Sequence, residues 1–343
     1  MQVTTIGLDL AKNIFQVHGV DNDGNVTVRR KLGRSSLLPF FSKLPPCIVG
    51  IEACATAHYW ARMLLAIGHQ VKLMPPAYVK PYVKRGKNDA TDAEAICEAV
   101  MRPSMRFVAV KSAEQQSILM LHRCRDLLIR QRTMLANALR SHFAELGVVV
   151  AQGIRNLSNL TEIIGDEADT RIPAVARYAL GLLMEQINDL QRRIKDLDHA
   201  LVAWHRANET SRRLKTIPGV GIIIATAITA TVTDPSQFKS GRQFAAWLGL
   251  VPRQNSSGGK ERLGRISKMG DRYLRRLLVV GATALLRFAR NRNTPLSEWA
   301  DQLLSRRPAR LVSVALANKI ARVAWALLMR GGQYGSRAAA IPA

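Results

Sequence analysis

Between Thr4 and Met74 the chain is a succession of short apolar runs closed by turn chemistry, and that pattern commits it to a sheet. Thr4 to Leu10 is an apolar run that contains Gly7. Ile14 to Val20 alternates like a strand, and Asp21-Asn22-Asp23-Gly24 is a hairpin-turn signal leading into a third strand, Val26 to Leu32. Cys47 to Ile51 is a short buried strand behind Pro45-Pro46. His58 to Ile67 reads as a helix ending at Gly68, and Gln70 to Met74 as a fifth strand stopped by Pro75-Pro76.

Three consecutive strands followed by helix–strand alternation is the order of an RNase H-like α/β sheet. Its few acidic residues are informative. Asp9 sits within Ile6-Gly7-Leu8-Asp9-Leu10, where an unpaired buried carboxylate costs several kcal/mol, and Glu52 ends the apolar run Ile48-Val49-Gly50-Ile51. Carboxylates at the middle and end of neighbouring strands can converge on one point. Asp89 and Asp92 are spaced i, i+3 at the start of a helix and share a face. Four such groups make a hard oxygen cage for Mg²⁺ or Mn²⁺, able to serve phosphoryl transfer. The competing reading makes Glu52 and Asp92 helix-terminal carboxylates favoured by the helix dipole.

Downstream, residues 113–146 and 171–215 read as long helices. In the second, Leu180, Leu183, Ile187, Leu190, Ile194, Leu197, Leu201 and Trp204 alternate three- and four-residue steps. That is an a/d seam, which buries against another helix, either in an intramolecular hairpin or in a dimer stalk. From Thr216 the chain is helical with loops, including a polar basic loop from Pro252 to Lys268 and helices at 271–290 and 310–330. The tail after Gly331 is small-residue coil.

Charge separates these regions. The whole chain has 50 Lys and Arg against 25 Asp and Glu, but the net is +6 over residues 1–110, +1 over 111–210 and +18 over 211–343. An excess so concentrated suits a phosphate backbone. Cys47, Cys54, Cys97 and Cys124 form no CxxC pair and complete no zinc pattern, so buried free thiols in a reducing cytoplasm are expected. No signal peptide is legible at Met1-Gln2-Val3-Thr4-Thr5. The apolar run nearest to a membrane span, Val220 to Val232, is too short.

Within the basic third, Ser256 and Ser257 precede Gly258 and Gly259, glycines that leave a hydroxyl accessible to phosphate. Arg253, Lys260, Arg262, Arg265 and Lys268 surround them and can stabilise charge developing on phosphorus. A flexible basic loop that only contacts DNA is the alternative. Ile217-Pro218-Gly219-Val220-Gly221 reads as a helix-hairpin-helix turn whose N–H groups at Gly219 and Gly221 hold a phosphate, or as a plain glycine turn. Arg272, Arg275 and Arg276 share a helical face, either as backbone contacts or as a solvated basic surface.

The runs Ile6 to Lys12, Gly50-Ile51-Glu52-Ala53 and Lys87 to Ala93, with Phe244 to Arg253, Ser256 to Gly259 and Gly264 to Gly270, resemble the DEDD insertion-sequence transposases. That group is related to the Piv-type DNA invertases and known for bridge-RNA-guided recombination. The resemblance spans nearly the whole chain in the same order. It implies a RuvC-like catalytic domain over 1–110, a helical coiled-coil segment over 111–213, a mostly helical transposase domain over 214–332 and a tail over 333–343. It further implies Asp9, Glu52, Asp89 and Asp92 as the metal-binding catalytic set and a nucleophilic serine at Ser257, with Ser256 one position away. DNA as target and donor, a non-coding guide RNA and a homo-oligomer follow as partners. After Glu52 the chain reads Ala53-Cys54-Ala55-Thr56, where many relatives have Ala-Thr-Gly. Two other classes fit the residues alone: a RuvC-like nuclease using metal-activated water, and a non-catalytic nucleic-acid-binding scaffold.

Overall fold

Residues 2–83, 89–287 and 294–335 are described by the computed structural model, residues 89 and 90 by their backbone alone. The chain divides into two compact units between Gln116 and Ser117.

The first unit is built on β1 (Thr5–Leu10), β2 (Ile14–Val20) and β3 (Val26–Gly33), then α1 (Leu37–Phe41), β4 (Ile48–Glu52), α2 (Ala57–Ala66), β5 (Gln70–Met74), α3 (Pro76–Val79) and α4 (Asp89–Val100). The strands line up in the order β3-β2-β1-β4-β5. β1, β2 and β3 pair antiparallel, whereas β1, β4 and β5 are parallel, as the crossover through α2 requires. The reversal at Asp21–Gly24 is a hairpin as expected, its Asp21 carboxylate accepting from the Asp23 and Asn25 N–H groups. One face of the sheet (Ile6, Leu8, Val49, Ile51) packs on Phe41, Trp60 and Leu64. The other is covered by α4, where Ala95, Ile96, Ala99 and Val100 cluster with Met74.

The second unit contains α5 (Ala113–Glu145) from Ser117 onward, α6 (Leu157–Gly165), α7 (Ala174–Ala207), α8 (Glu209–Lys215), α9 (Ile222–Thr231), α10 (Gly241–Trp247), β6 (Pro252–Gln254), β7 (Leu263–Ile266), α11 (Arg272–Arg287), α12 (Pro295–Leu304) and α13 (Ala309–Arg330). The seam of α7 finds its partner within the chain. Leu201 clusters with Ile118, Asp198 pairs with Arg125 at 2.5 Å, and Leu180 and Ile187 cluster with Phe143 and Leu139. Those contacts run in opposite directions along the two helices, so α5 and α7 form an antiparallel hairpin. Leu180, Ile187, Ile194 and Leu201 are fully buried; Leu183, Leu190, Leu197 and Trp204 are only half-buried.

Several expectations need correction. The helix predicted over 171–215 is two helices. Asn208 has an extended backbone and accepts the Ser211 N–H on its side chain, which ends α7 and caps α8. His205 bonds the Ser211 hydroxyl at 2.7 Å across the break. The stretch Pro252 to Lys268 is not a loop but contains the hairpin β6–β7. Helices α6 and α12 were not legible. The run expected to come nearest a membrane span was the wrong one. α13 is long and apolar enough to cross a membrane, yet Leu316, Ile320, Ala324 and Leu327 are buried in the core formed with α8 to α12. Cys47 and Cys97 are buried free thiols as expected, but Cys54 and Cys124 are exposed. The ends of the predicted helix 271–290 and of the tail, residues 288–290 and 336–343, lie outside the described residues.

Candidate active site

In the first unit the site is set by two glycines. Gly7 of β1 and Gly50 of β4 are register partners. A Cβ on Gly7 would lie 2.1 Å from the Ala93 carbonyl oxygen and 2.4 Å from the Cys97 nitrogen, and one on Gly50 would lie 2.8 Å from Val100 Cβ. Helix α4 therefore rests directly on the backbone of the two central strands. Side chains alternate along a strand, so Asp9 and Glu52, each two residues beyond its glycine, emerge on this same face. Register carries them side by side, since Leu8 pairs with Ile51 one step earlier. Asp92 stands in the first turn of α4, just before the Ala93 that touches Gly7. Asp9, Glu52 and Asp92 are all half-buried.

Electrostatics agree with this convergence. Burial raises the Glu52 carboxyl above its ordinary value, and the charge of Asp92 raises it further. Asp89 begins α4, but its side chain lies outside the described residues. Among the described residues no three of His, Cys, Asp and Glu are gathered closely enough to hold a metal. Sequence reasoning missed the neighbours of this site. Gln16 is the register partner of Asp9, and with Arg29, Lys31, Thr91 and Glu94 it lines a cleft of about 340 Å³. The signal was present in the alternation of β3, which puts Arg29 and Lys31 on one face.

In the second unit the site is the β6–β7 hairpin. Pro252 pairs with Ile266 and Gln254 with Leu263, and the Asn255 N–H donates to the Arg262 carbonyl at 2.9 Å. At the tip, the Lys260 N–H donates to the Ser257 carbonyl at 3.1 Å across Gly258 and Gly259, with φ of +56° and +77°. Two positive φ values in a two-residue loop make a type I′ turn, which other residues strain to adopt. The adjacent serines are thereby distinguished. The Ser256 hydroxyl accepts the Arg262 N–H at 3.1 Å and helps close the hairpin. Ser257 is exposed, and its hydroxyl makes no hydrogen bond among the described residues. Arg253, Lys260, Arg262, Arg265 and Lys268, along the hairpin and just beyond it, are all exposed.

Two family models match the chain. A DEDD transposase model of the IS110 group covers residues 6–147, and the model described as "Transposase IS116/IS110/IS902 family" covers residues 211–296. The chain is 50% identical to a probable family 20 transposase of Pseudomonas aeruginosa, over 97% of its own length and 99% of the relative's. It is 41% identical to the transposase for insertion sequence element IS1328 of Yersinia enterocolitica, over 96% of this chain and 98% of that one. It is also 41% identical to the transposase for IS1111A of Coxiella burnetii, over 97% and 91%. The chain belongs to the IS110 family of insertion-sequence transposases.

The other predicted nucleic-acid contacts of this transposase fall into two groups. Gly219, with φ of +85°, is packed so closely on α11 that a Cβ on the facing Gly281 would lie 2.2 Å from the Gly219 oxygen. Gly221, by contrast, is the exposed N-cap of α9. The arginine face of α11 also divides. Arg272 is exposed. Arg275 donates to the Leu248 and Met269 carbonyls at 2.8 and 3.0 Å, bracing the base of the hairpin. Arg276 pairs with Asp126 and lies over the Tyr273 ring. Gly219, Arg275 and Arg276 thus have folding roles that their spacing did not reveal.

A polar triad joins α5, α9 and α11. The Thr226 hydroxyl donates to the Ile222 carbonyl at 2.8 Å, so it accepts from His122 Nε2 at 3.1 Å; His122 Nδ1 then accepts from the Tyr273 hydroxyl at 3.0 Å. Burial and the nearby Arg125 push His122 down to about 4 and keep it neutral. Burial pushes Tyr273 up to about 12, which keeps it a donor.

Proposed function

We propose that this transposase cleaves and exchanges DNA strands by using Ser257 as nucleophile and Asp9, Glu52, Asp89 and Asp92 as a divalent-cation site. The observation that carries the serine assignment is the contrast at the hairpin tip, where Ser256 is bonded into the turn and Ser257 is presented. In the proposed step the Ser257 Oγ–P bond forms and one P–O bond to a deoxyribose breaks. The proton given up by the hydroxyl is balanced, through solvent, by the one taken up at the released sugar oxygen. Arg253, Lys260, Arg262 and Arg265 are placed along the same hairpin to stabilise the charge on phosphorus.

The carboxylates fit a cation by their chemistry. All are hard oxygen donors, and the charge of Asp92, second to burial, holds the Glu52 carboxyl above its ordinary value, a repulsion that a divalent ion relieves. A bound Mg²⁺ or Mn²⁺ supplies Lewis acidity toward phosphate oxygens. The strand order and the mix of parallel and antiparallel pairing support the RNase H-like, RuvC-like reading of this unit. The net +18 of residues 211–343 suits DNA and an element-encoded guide RNA alike. The half-buried Leu190 and Leu197 on α7 support assembly into a homo-oligomer.

The test is denaturing electrophoresis of labelled DNA incubated with enzyme, Mg²⁺ and guide RNA. A protein-linked DNA band is expected for wild type and Ser256→Ala and is absent for Ser257→Ala. Metal-dependent cleavage without a linked band would replace the serine mechanism by hydrolysis.

A further inference from the structure

A groove of about 1,240 Å³ opens between β7 and helices α12 and α13, at the base of the serine hairpin. It exceeds the ~300–1,000 Å³ of ordinary small-molecule pockets and suits a stretch of polymer. Its floor is apolar, formed by Leu250, Ile266, Leu311, Val314 and Trp299. Its cations are Arg265 and Lys268 from the hairpin and Arg310, Lys319 and Arg322 from α13, with no Asp or Glu among the described residues that line it. Lys319 and Arg322 lie three residues apart on one helix, and Arg322 holds the Lys319 ammonium below its ordinary value, second to burial. This is like-charge repulsion that an arriving anion would remove. Lys319 Nζ rests 4.3 Å from the centre of the Trp299 ring, so a cation and an aromatic surface are presented together. The Asn318 side chain donates to the Leu250 carbonyl at 3.1 Å and ties α13 to the foot of the hairpin.

We propose that this groove receives an unpaired nucleic-acid strand, its bases laid on the apolar floor and its phosphates met by the cationic rim. A duplex keeps its bases stacked inside and would offer only phosphates to such a floor. An unpaired strand offers both base faces and phosphates, the combination that single-strand binding sites exploit. A protein segment would have to be acidic to match the rim, and residues 211–343 themselves carry only 5 acidic side chains against 23 basic ones. The inference rests on the transposase reading and deepens it: the groove would hold a strand opened next to the hairpin.

Fluorescence anisotropy with a short labelled oligonucleotide tests it, as single-stranded DNA, as RNA of the same sequence and as the DNA duplex. Trp299→Leu and Leu311→Glu should each weaken single-strand binding by about tenfold or more and leave the duplex essentially unchanged. Lys319→Gln should lower the salt slope for the single strand by about one. Leu311 is 51% exposed, so Leu311→Glu plants a carboxylate in the groove without cutting into the core and serves if Trp299→Leu does not fold. A loss for single-stranded DNA supports the groove as the seat of an opened strand, and a loss confined to RNA overturns it. Unchanged single-strand binding in Leu311→Glu, or an equal loss for the duplex, overturns the proposal. Ser257→Ala should bind like wild type, so a failed groove and a failed nucleophile give different results.

Discussion

At the carboxylate end of the sheet, three half-buried acidic side chains are fixed by a helix lying on two paired glycines, and one of them is held above its ordinary pKa. At the tip of the β6–β7 hairpin, the serine is exposed, as are the cations along the hairpin, and the turn is held by backbone bonds and Ser256. The first arrangement couples chemistry to packing, so its residues cannot be changed without moving the stability of the fold. The second separates them. On the proposed mechanism, a protein that handles a large, rigid substrate gains from a nucleophile that protrudes, and from a cation site that does not shift when the substrate arrives.

The largest effect that this contrast predicts is at Ser257. Ser257→Ala should reduce strand exchange by roughly a thousandfold or more, as loss of a nucleophile does, while melting stays within about 1 °C of wild type. A variant that melts much earlier would show the hairpin to be structural. Next comes Gly7→Ala. With a Cβ 2.1 Å from the Ala93 oxygen, the helix must lift, at a cost of about 3 kcal/mol or more. Gly258→Ala, where nothing lies within 4 Å of the new Cβ, should cost only the strain of a positive φ, about 1 kcal/mol. Chemical denaturation of both variants measures the difference, and equal losses would erase the distinction.

Much of the first arrangement was legible in the sequence, because a strand's alternation and turn residues fix which side chains share a face. Asp9 and Glu52 were expected within and at the end of neighbouring strands, and the register of β1 with β4 puts them side by side. What brings Asp92 near Glu52, the bare backbone at Gly7 and Gly50, is a long-range contact that no local pattern records. The hairpin was read as a loop because Pro252, Ser256, Ser257 and the glycines carry turn chemistry, and its strands are short and exposed. The break at Asn208 lies beyond the last seam residue, Trp204, in a polar stretch from His205 to Arg213 that has no Gly or Pro to mark an end. The groove beside the hairpin depends on α12 and α13, far along the chain, and only packing discloses it.

Titration should separate the units by sign. His122 is depressed from 6.5 to about 4, so the unfolded chain takes up its proton first, and stability is lost as pH falls from about 6.5 towards 4. That loss reaches about 3 kcal/mol at the acid end and should be largely absent in His122→Gln. Glu52 is raised, so the folded state holds its proton more tightly, and stability is lost as pH rises above the ordinary carboxylate range. Glu52→Gln should remove that loss and raise the neutral-pH melting temperature by about 2 °C. Mg²⁺ should raise the melting temperature of wild type and not that of Asp9→Ala. Melting curves across pH, with and without Mg²⁺, measure all three. An equal metal response in wild type and Asp9→Ala would remove Asp9 from the cation site.

A smaller effect concerns assembly. Leu190 is half-buried on α7, and Leu190→Glu should weaken a homo-oligomer by about tenfold in dissociation constant while leaving the antiparallel hairpin folded. Sedimentation at micromolar concentration reads this, and a monomeric wild type would show that Leu190 and Leu197 have no partner chain.

The contrast between the proposed cation site and the proposed nucleophile comes down to one covalent bond. Mass spectrometry of a trapped protein–DNA complex, trimmed with nuclease and cut by trypsin after Arg253 and Lys260, isolates the peptide Gln254 to Lys260 with both serines in it. Fragmentation should place the added nucleotide on Ser257. A nucleotide on Ser256, or none on this peptide in a reaction that still exchanges strands, would contradict the assignment.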